Sequence, residues 1–338
     1  MKALVTGGGG FLGRRIVELL LGRGESVRFM ARGKYPQVVA LGAEGFQGDL
    51  RDPDAVRKAV DGVDVVYHVA SLAGYWGHEE TYRGINVDGT RNVLNAMRQC
   101  GVRRLIYTST PSVVGYERDV INGQPGIPYP MRHKSPYPRT KAVAEQMVCD
   151  ANGKDLATVS LRPHLIIGPG DNNLLPRVVE RALAGTLVMV GDGTNKVDFT
   201  YVDNAAWAHL DAADALKDEK SPAAGRAYFI SNNEPVLLWD WLNGLLGAVG
   251  CPPTRRRISY RTARALGGLM ETAWTLLPLP GEPRVTQFLA SALARSHWYD
   301  MGPAQRDFHY QVRVPLAEGT RHTAAWLRSH FKIESPVT

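Results

Sequence analysis

Short apolar segments alternate with helical patterns along the first 170 residues of the chain. The apolar segments have the length of buried strands and read "KALVTG", "SVRFMA", "GFQGDL", "VDVVYHVA", "RRLIYTST" and "ATVSLRPHLIIG". Segments between them, such as "FLGRRIVELLLGRG" and "DPDAVRKAVDG", repeat apolar residues at helical spacing. Because parallel strands need crossover connections, which helices supply, the alternation predicts an α/β fold with a doubly wound parallel sheet.

The pattern loosens after about Ile167 and becomes helical and apolar towards the C-terminus. We expect residues 1–167 and 198–232 to form the domain that contains the sheet. Residues 168–197 and 233–338 would form a smaller, interleaved lobe. Since ligands of open parallel sheets bind beyond the carboxyl ends of the strands, this lobe would close a substrate pocket there.

The length of 338 residues allows a large buried core, and the composition is that of a globular protein. The three cysteines, Cys100, Cys149 and Cys251, are far apart and lack metal-ligand spacing, so we expect neither a metal site nor disulfides. No run of about 18 uncharged apolar residues occurs, and we expect no cleavable signal before the first strand. These features predict a cytoplasmic protein.

The formal net charge of +7 raises the question of nucleic-acid binding. The basic residues are spread along the chain, apart from "TRRR" at residues 254–257, and no recognition motif accompanies them. We therefore expect no nucleic-acid partner, and an anionic substrate or cofactor explains the charge more simply.

The segment "TGGGGFLG" places Gly7, Gly10 and Gly13 directly after an apolar strand and at the start of a helix. Glycine permits the tight bend, the approach of a pyrophosphate to the backbone and the packing of helix on strand. The helix N-terminus would face the phosphates. This context predicts a dinucleotide-binding turn, which also includes Phe11 and Leu12, and a sheet of the Rossmann type.

The end of the second strand predicts which dinucleotide binds. NAD-specific chains usually have a carboxylate there for the ribose 2′-hydroxyl, but this chain has Ala31 followed by Arg32, with Arg14 and Arg15 after the last glycine. A guanidinium is suited to a 2′-phosphate. We therefore expect NADPH as the preferred cofactor, with NADH as the alternative.

Tyr137 and Lys141 are four residues apart at the start of a predicted helix, "SPYPRTKAVAEQ". One helical turn separates them, so they would share a face. A tyrosine titrates near pH 10, and neighbouring positive charge favours its phenolate. Beside a dinucleotide, the pair predicts acid-base chemistry on a substrate oxygen.

Several motifs together resemble an extended short-chain dehydrogenase/reductase. In the order of that family, the chain carries the glycine turn, "GDL", "HVAS", "INVDGTRNVL", "YTSTPSVVG", "YPRTK" and "LRPHLIIGPG". The resemblance covers nearly all of the first 170 residues. It implies that the phenol of Tyr137 exchanges the proton with the substrate, while Lys141 holds the nicotinamide ribose and lowers the pKa of the tyrosine.

The resemblance implies further site residues. The catalytic hydroxyl stands five residues before the glycine of "TSTPSVVG", at Thr110, with Ser112 and Ser109 as nearby alternatives. The remaining assignments are for the cofactor: the adenine would border Asp49 and Leu50, the dinucleotide would follow Val69, Ala70 and Ser71, and His164 would lie near the nicotinamide.

Related dehydratases carry an Asp-Glu pair after the catalytic threonine, where this chain has Pro111 and Ser112, so we do not expect dehydration. The core motifs alone leave epimerases open. The segments "GYWG", "AYFISNNEPVLLWDW" and "SHWYDMGPAQRDFHY" resemble the 3β-hydroxysteroid dehydrogenase branch, and within it the bacterial 2-alkyl-3-oxoalkanoate reductases of long-chain olefin biosynthesis. The resemblance implies reduction of a lipid-like β-keto acid by a homodimer. A 3β-hydroxysteroid dehydrogenase and a non-catalytic redox sensor are the alternatives.

A β-keto acid needs a polar site for its carboxylate and an apolar channel for its chains. We expect the polar site at His164 or Asn173, although either could instead bind loop backbone, and the channel at "GYWG" and the helices of residues 263–294. The stretch "LGGLMETAWTLLPLPG" could line that channel, belong to the core, or make a peripheral membrane contact.

Overall fold

The computed structural model describes residues 1–277 and 279–333; residue 278, in the apolar stretch, and residues 334–338, at the end of the expected lobe, lie outside them. The first half contains β1 (Lys2–Thr6), α1 (Phe11–Gly22), β2 (Ser26–Ala31), α2 (Pro36–Val39), β3 (Glu44–Gln47), α3 (Pro53–Val60), β4 (Val65–His68), α4 (Glu79–Tyr82), a π-helical turn (Arg83–Asp88), α5 (Gly89–Cys100), β5 (Arg104–Thr108), a 3-10 turn (Pro111–Val114), β6 (Val120–Gly123), α6 (Pro136–Asp150) and β7 (Ala157–Pro163).

The second half has shorter strands and more helix. It contains β8 (Ile166–Ile167), α7 (Leu175–Leu183), β9 (Met189–Val190), β10 (Lys196–Val197), β11 (Thr200–Tyr201), α8 (Val202–Ala215), β12 (Arg226–Ile230), β13 (Val236–Leu237), α9 (Leu238–Val249), β14 (Arg257–Ile258), α10 (Tyr260–Leu276), α11 (Gln287–Ala294), β15 (His297–Tyr299), α12 (Gly302–Phe308) and α13 (Leu316–Phe331). None of these helices is long and apolar enough to span a membrane.

Seven parallel strands form the central sheet in the order β12–β7–β5–β4–β1–β2–β3. The predicted doubly wound α/β fold is confirmed. The strand order reverses between β1 and β4, whose last residues, Thr6 and His68, are paired neighbours. The loops that follow these two strands leave in opposite directions, which opens a crevice at the carboxyl edge of the sheet.

Burial explains why the strand segments are almost continuously apolar. All four residues of β4 are buried, as are the last six of β7, because helices cover both faces of the sheet. One face packs on α1 and α8, and the other packs on α3 and α5. Local signals begin the helices, as at Asp52, whose side chain accepts hydrogen bonds from the first turn of α3.

A smaller sheet joins distant parts of the chain in the order β13–β10–β15–β6. Its strand β6 comes from the first half, between β5 and α6, and pairs in parallel with β15 near the C-terminus. The sequence pattern does not predict β6, because "VING" has only four residues and no alternation.

Candidate active site

The glycine turn lies in the crevice between β1 and β4. Gly7 has a left-handed φ of +70°, and a Cβ there would lie 2.9 Å from Ala70 Cα. A Cβ on Gly13 would lie 2.2 Å from the Gly7 oxygen, so the helix can approach the turn this closely only without a side chain. Gly10 caps α1 and faces open space apart from the Gly7 oxygen at 3.3 Å. The turn therefore leaves the room next to the helix N-terminus that a pyrophosphate requires.

Arg14, Arg15 and Arg32, the arginines expected near the adenosine ribose, differ in their partners. Arg15 binds Asp203 with two hydrogen bonds of 2.8 Å and also pairs with Glu18, and Arg14 pairs with Glu18 at 2.9 Å. Arg32 is exposed at the rim of the crevice and pairs with no carboxylate in the described part of the chain. Arg32 is therefore the arginine whose guanidinium could meet a 2′-phosphate.

A cavity of about 690 Å³ extends from the glycine turn along the carboxyl edge of the sheet. Its volume is in the range of ligand pockets. Its lining includes every predicted site residue except Lys141, namely Gly7, Gly10, Phe11, Leu12, Gly13, Arg32, Asp49, Leu50, Val69, Ala70, Ser71, Thr110, Tyr137 and His164.

Tyr137, in the first turn of α6, lines the cavity together with Thr110. Thr110 begins the 3-10 turn after β5, and its Oγ1 lies 3.1 Å from Ser112 Oγ. Burial raises the pKa of Tyr137 to about 12, while the nearby Thr110 side chain acts in the lowering direction. The expectation that positive charge brings this pKa below its ordinary value is wrong for this structure, because desolvation of the phenolate dominates.

Lys141 lies behind the cavity wall, with 1% of its surface exposed. Its Nζ donates a 2.5 Å hydrogen bond to the Thr108 carbonyl and lies 4.1 Å from the centre of the Tyr107 ring. Burial lowers the pKa of Lys141 to about 7, although Glu145 acts in the raising direction. Near neutral pH this amine can therefore both carry and release a proton.

A buried ion pair one turn after Lys141 holds α6 in place. It thereby fixes the orientation of Tyr137 and Lys141 on the same helix. Glu145 continues the spacing of four residues on the same face. Both of its carboxylate oxygens accept hydrogen bonds from Arg162 on β7, at 2.7 and 2.8 Å, and both side chains are buried. Tyr129 donates a third hydrogen bond of 2.5 Å to Glu145.

His164 belongs to a buried hydrogen-bonded chain with Asp198 and His297. The His297 Nε2 must donate to the Ala292 carbonyl at 2.9 Å, because a carbonyl can only accept. Burial lowers the pKa of His297 to about 3, so it is neutral and its Nδ1 accepts from His164 Nε2 at 2.9 Å. The other nitrogen, His164 Nδ1, shares a hydrogen with Asp198 at 2.5 Å.

Both ring nitrogens of His164 are therefore bound within the protein. The expectation that His164 receives a substrate carboxylate is wrong, although the ring lines the cavity. Asn173 lines the cavity and is exposed. The sequence does not predict these contacts, because Asp198 and His297 lie 34 and 133 residues from His164 and nothing in the segment "SHWYDMGPAQRDFHY", which contains His297, points to His164.

The remaining cavity wall is mostly apolar and comes from seven separate parts of the chain. From "GYWG", Gly74 and Tyr75 line the cavity, and α11 contributes as expected, but no described residue of α10 does. Tyr116, which packs against His297 and lines the cavity, was also missed because no motif includes it. The apolar lining consists of Leu72, Ile85, Leu174, Leu175, Val178, Phe199, Leu238, Leu242, Phe288, Leu289, Ala292 and Leu293.

The chain matches the model of the 3-beta hydroxysteroid dehydrogenase/isomerase family over residues 4–259. It is 49% identical over 327 residues to the 2-alkyl-3-oxoalkanoate reductase of Stenotrophomonas maltophilia, covering 96% of this chain and 99% of that protein. It is 43% identical to a protein of the same name from Shewanella oneidensis, covering 96% and 86%. The crystal structure of gox2253 has a TM-score of 0.80 at 26% identity, covering 98% and 99%. The chain thus belongs to the 3-beta hydroxysteroid dehydrogenase/isomerase family of extended short-chain dehydrogenases/reductases, and it is an oxidoreductase.

Proposed function

We propose that the protein reduces the ketone of a long-chain 2-alkyl-3-oxoalkanoate to the 3-hydroxy acid, using a nicotinamide dinucleotide. The observation that carries this proposal is the position of Tyr137, a half-buried phenol that lines, together with Thr110, a cavity whose further walls are apolar. The two relatives named 2-alkyl-3-oxoalkanoate reductase support the substrate class.

The reaction adds a hydride to the carbonyl carbon and a proton to the carbonyl oxygen. The nicotinamide supplies the hydride when it is bound. Tyr137 gives its proton to the oxygen, and Thr110 donates a hydrogen bond to the same oxygen. The raised pKa of Tyr137 keeps the phenol protonated before the reaction. The amine of Lys141, one turn away, would stabilise the phenolate that remains, and it would reach the nicotinamide ribose only by turning away from the Thr108 carbonyl.

The same proposal assigns NADPH as the preferred cofactor. The open face of Gly10 receives the pyrophosphate, and Arg32 pairs with the 2′-phosphate. Asp49 does not compete for Arg32 by a direct ion pair, because its carboxylate binds Arg51 at 2.7 Å. Asp49 and Leu50 then border the adenine.

The test compares substrates at equal cofactor concentration. Freshly prepared 2-alkyl-3-oxoalkanoates of increasing chain length are reduced, and the stable 2-alkyl-3-hydroxy acids are oxidised as matched reverse substrates. Each methylene buried in the apolar wall contributes about 0.8 kcal/mol, so kcat/KM should rise almost fourfold per methylene until the cavity is filled. A specificity constant that does not change with chain length would contradict the proposed substrate.

The family match favours one second candidate, a 3β-hydroxysteroid dehydrogenase. That enzyme would oxidise a 3β-hydroxysteroid with the oxidised cofactor and would show no dependence on alkyl length. Brisk oxidation of the steroid together with slow reaction of all keto acids would replace the substrate assignment and leave the role of Tyr137 unchanged. A redox sensor without catalysis would turn over none of these compounds.

A further inference from the structure

The outer face of α10 and the start of the following loop form an exposed apolar surface. This leucine face consists of Leu266, Leu269, Leu276, Leu277 and Leu279. Leu269 and Leu276 are 68% and 75% exposed, which is unusual for leucines only two helical turns apart. The opposite side of α10 is packed, since a Cβ on Gly267 would lie 2.7 Å from the Gln287 nitrogen. The fold therefore turns the leucines outward and leaves them uncovered.

Positive charges surround the N-terminal end of this leucine face. Arg261 and Arg264 are exposed on α10, and the preceding segment adds three exposed arginines, Arg255, Arg256 and Arg257. None of the five pairs with a carboxylate within residues 1–277 and 279–333. Other surface arginines, such as Arg14, do form ion pairs. An apolar stripe next to unpaired arginines is typical of helices that lie in the interface of an anionic bilayer.

A second copy of the chain fits this surface less well than a lipid does. A two-fold interface brings the same patch of both subunits together, so the arginines of one copy would lie close to those of the other. An anionic lipid surface instead offers acyl chains to the leucines and negative headgroups to the arginines. We propose that α10 docks the protein on anionic membrane surfaces, with the leucine face inserted at the level of the headgroups.

The position of the leucine face connects this docking to the cavity. α10 packs on α11, and Phe288, Leu289, Ala292 and Leu293 of α11 line the cavity wall. In the loop after α10, Glu282 pairs with Arg177 at 2.5 Å, and Arg177 also donates to the hydroxyl of the cavity residue Tyr75. If the substrate is the lipid proposed above, docking places the cavity next to the phase that holds it; the docking itself does not depend on the substrate.

The experiment is flotation of the 338-residue chain with two kinds of vesicle, one of phosphatidylglycerol and phosphatidylcholine and the other of phosphatidylcholine alone. Leu269→Ser with Leu276→Ser removes the apolar contact, and Ile121→Ser with Met131→Ser is the matched control at two exposed apolar residues outside the leucine face. Arg261→Ala with Arg264→Ala removes two charges, and Lys154→Ala with Lys220→Ala removes two exposed charges elsewhere. Light scattering measures the oligomeric state of every variant.

We expect the native protein to float with the anionic vesicles and not with the neutral ones. The leucine variant should lose at least about tenfold in partitioning, since two large side chains no longer leave water. The arginine variant should lose several-fold, while both control variants bind as the native protein does. Absence of binding to anionic vesicles, or equal binding by the leucine variant, would overturn the proposal. Conversion of a native dimer to a monomer by the leucine substitutions would assign the surface to contact between copies instead.

Discussion

Replacement of Lys141 by methionine should make the protein more stable while it removes activity. The amine is buried, and its pKa is lowered from 10.5 to about 7. A tenfold change in proton affinity corresponds to about 1.4 kcal/mol, so the lowered pKa means that burial destabilises the charged amine in the folded chain by about 5 kcal/mol. The hydrogen bond to Thr108 offsets about 2 kcal/mol of it. Methionine, of similar length and without charge, should therefore raise the free energy of unfolding by about 3 kcal/mol at pH 6.

The protonation states of Lys141 in the folded and unfolded chain determine the sign of the pH dependence of stability. Below the folded pKa of about 7, Lys141 is protonated in the folded and in the unfolded chain, and its unfavourable burial is fully present. Between pH 7 and 10.5 the unfolded chain holds a proton that the folded chain has released, so the wild type gains stability as the pH rises. The advantage of Lys141→Met should therefore shrink by about 2 kcal/mol between pH 7 and pH 9.

Urea unfolding followed by tryptophan fluorescence measures both quantities. Lys154→Met is the matched control, because Lys154 is exposed and its difference from the wild type should not change with pH. A lower stability of Lys141→Met than of the wild type at pH 6, or an advantage that stays constant up to pH 9, would show that burial of the charged amine is not unfavourable. Loss of ketone reduction in the more stable variant would show that the buried amine is present for the reaction and not for the fold.

Three further changes probe the site. Tyr137→Phe should lower kcat by about 100-fold or more with dinucleotide binding retained in a fluorescence titration, because a positioned proton donor is lost; near-normal turnover would remove Tyr137 from the mechanism. Arg32→Ala should raise the KM for NADPH roughly tenfold and leave that for NADH almost unchanged; equal effects on both would contradict the pairing with the 2′-phosphate. Glu145→Gln should lower the free energy of unfolding by about 3–5 kcal/mol, because Arg162 stays buried without its partner; the double change Glu145→Leu with Arg162→Met should recover most of this loss, and equal instability of both variants would show that the ion pair is not the cause.

The sequence predicted the features that depend on neighbours along the chain. The glycine turn could be recognised because Gly7, Gly10 and Gly13 serve one strand, one bend and one helix in succession. The strands of the large sheet could be recognised because each is buried on both faces and is therefore apolar throughout.

What the sequence did not predict depends on contacts between distant residues. The Lys141 side chain points towards the carbonyl of Thr108, the last residue of β5, which lies 33 residues away along the chain. The two hydrogen bonds that occupy the ring of His164 come from residues in other elements, Asp198 and His297. The sign of the shift in the pKa of Tyr137 depends on burial, which a spacing of four residues does not reveal.

The pairing of β6 with β15 has a consequence for the order in which the protein is completed during synthesis. Translation produces β6 about 170 residues before β15, which lies between β6 and β10 in the smaller sheet. Until the ribosome has released His297 and Tyr299, β6 keeps an unpaired edge, and the wall formed by α11 has no support from His297. A chain that stops before residue 297 would carry the glycine turn and Tyr137 but expose the apolar cavity, so truncated products should be substrates for chaperones and proteases.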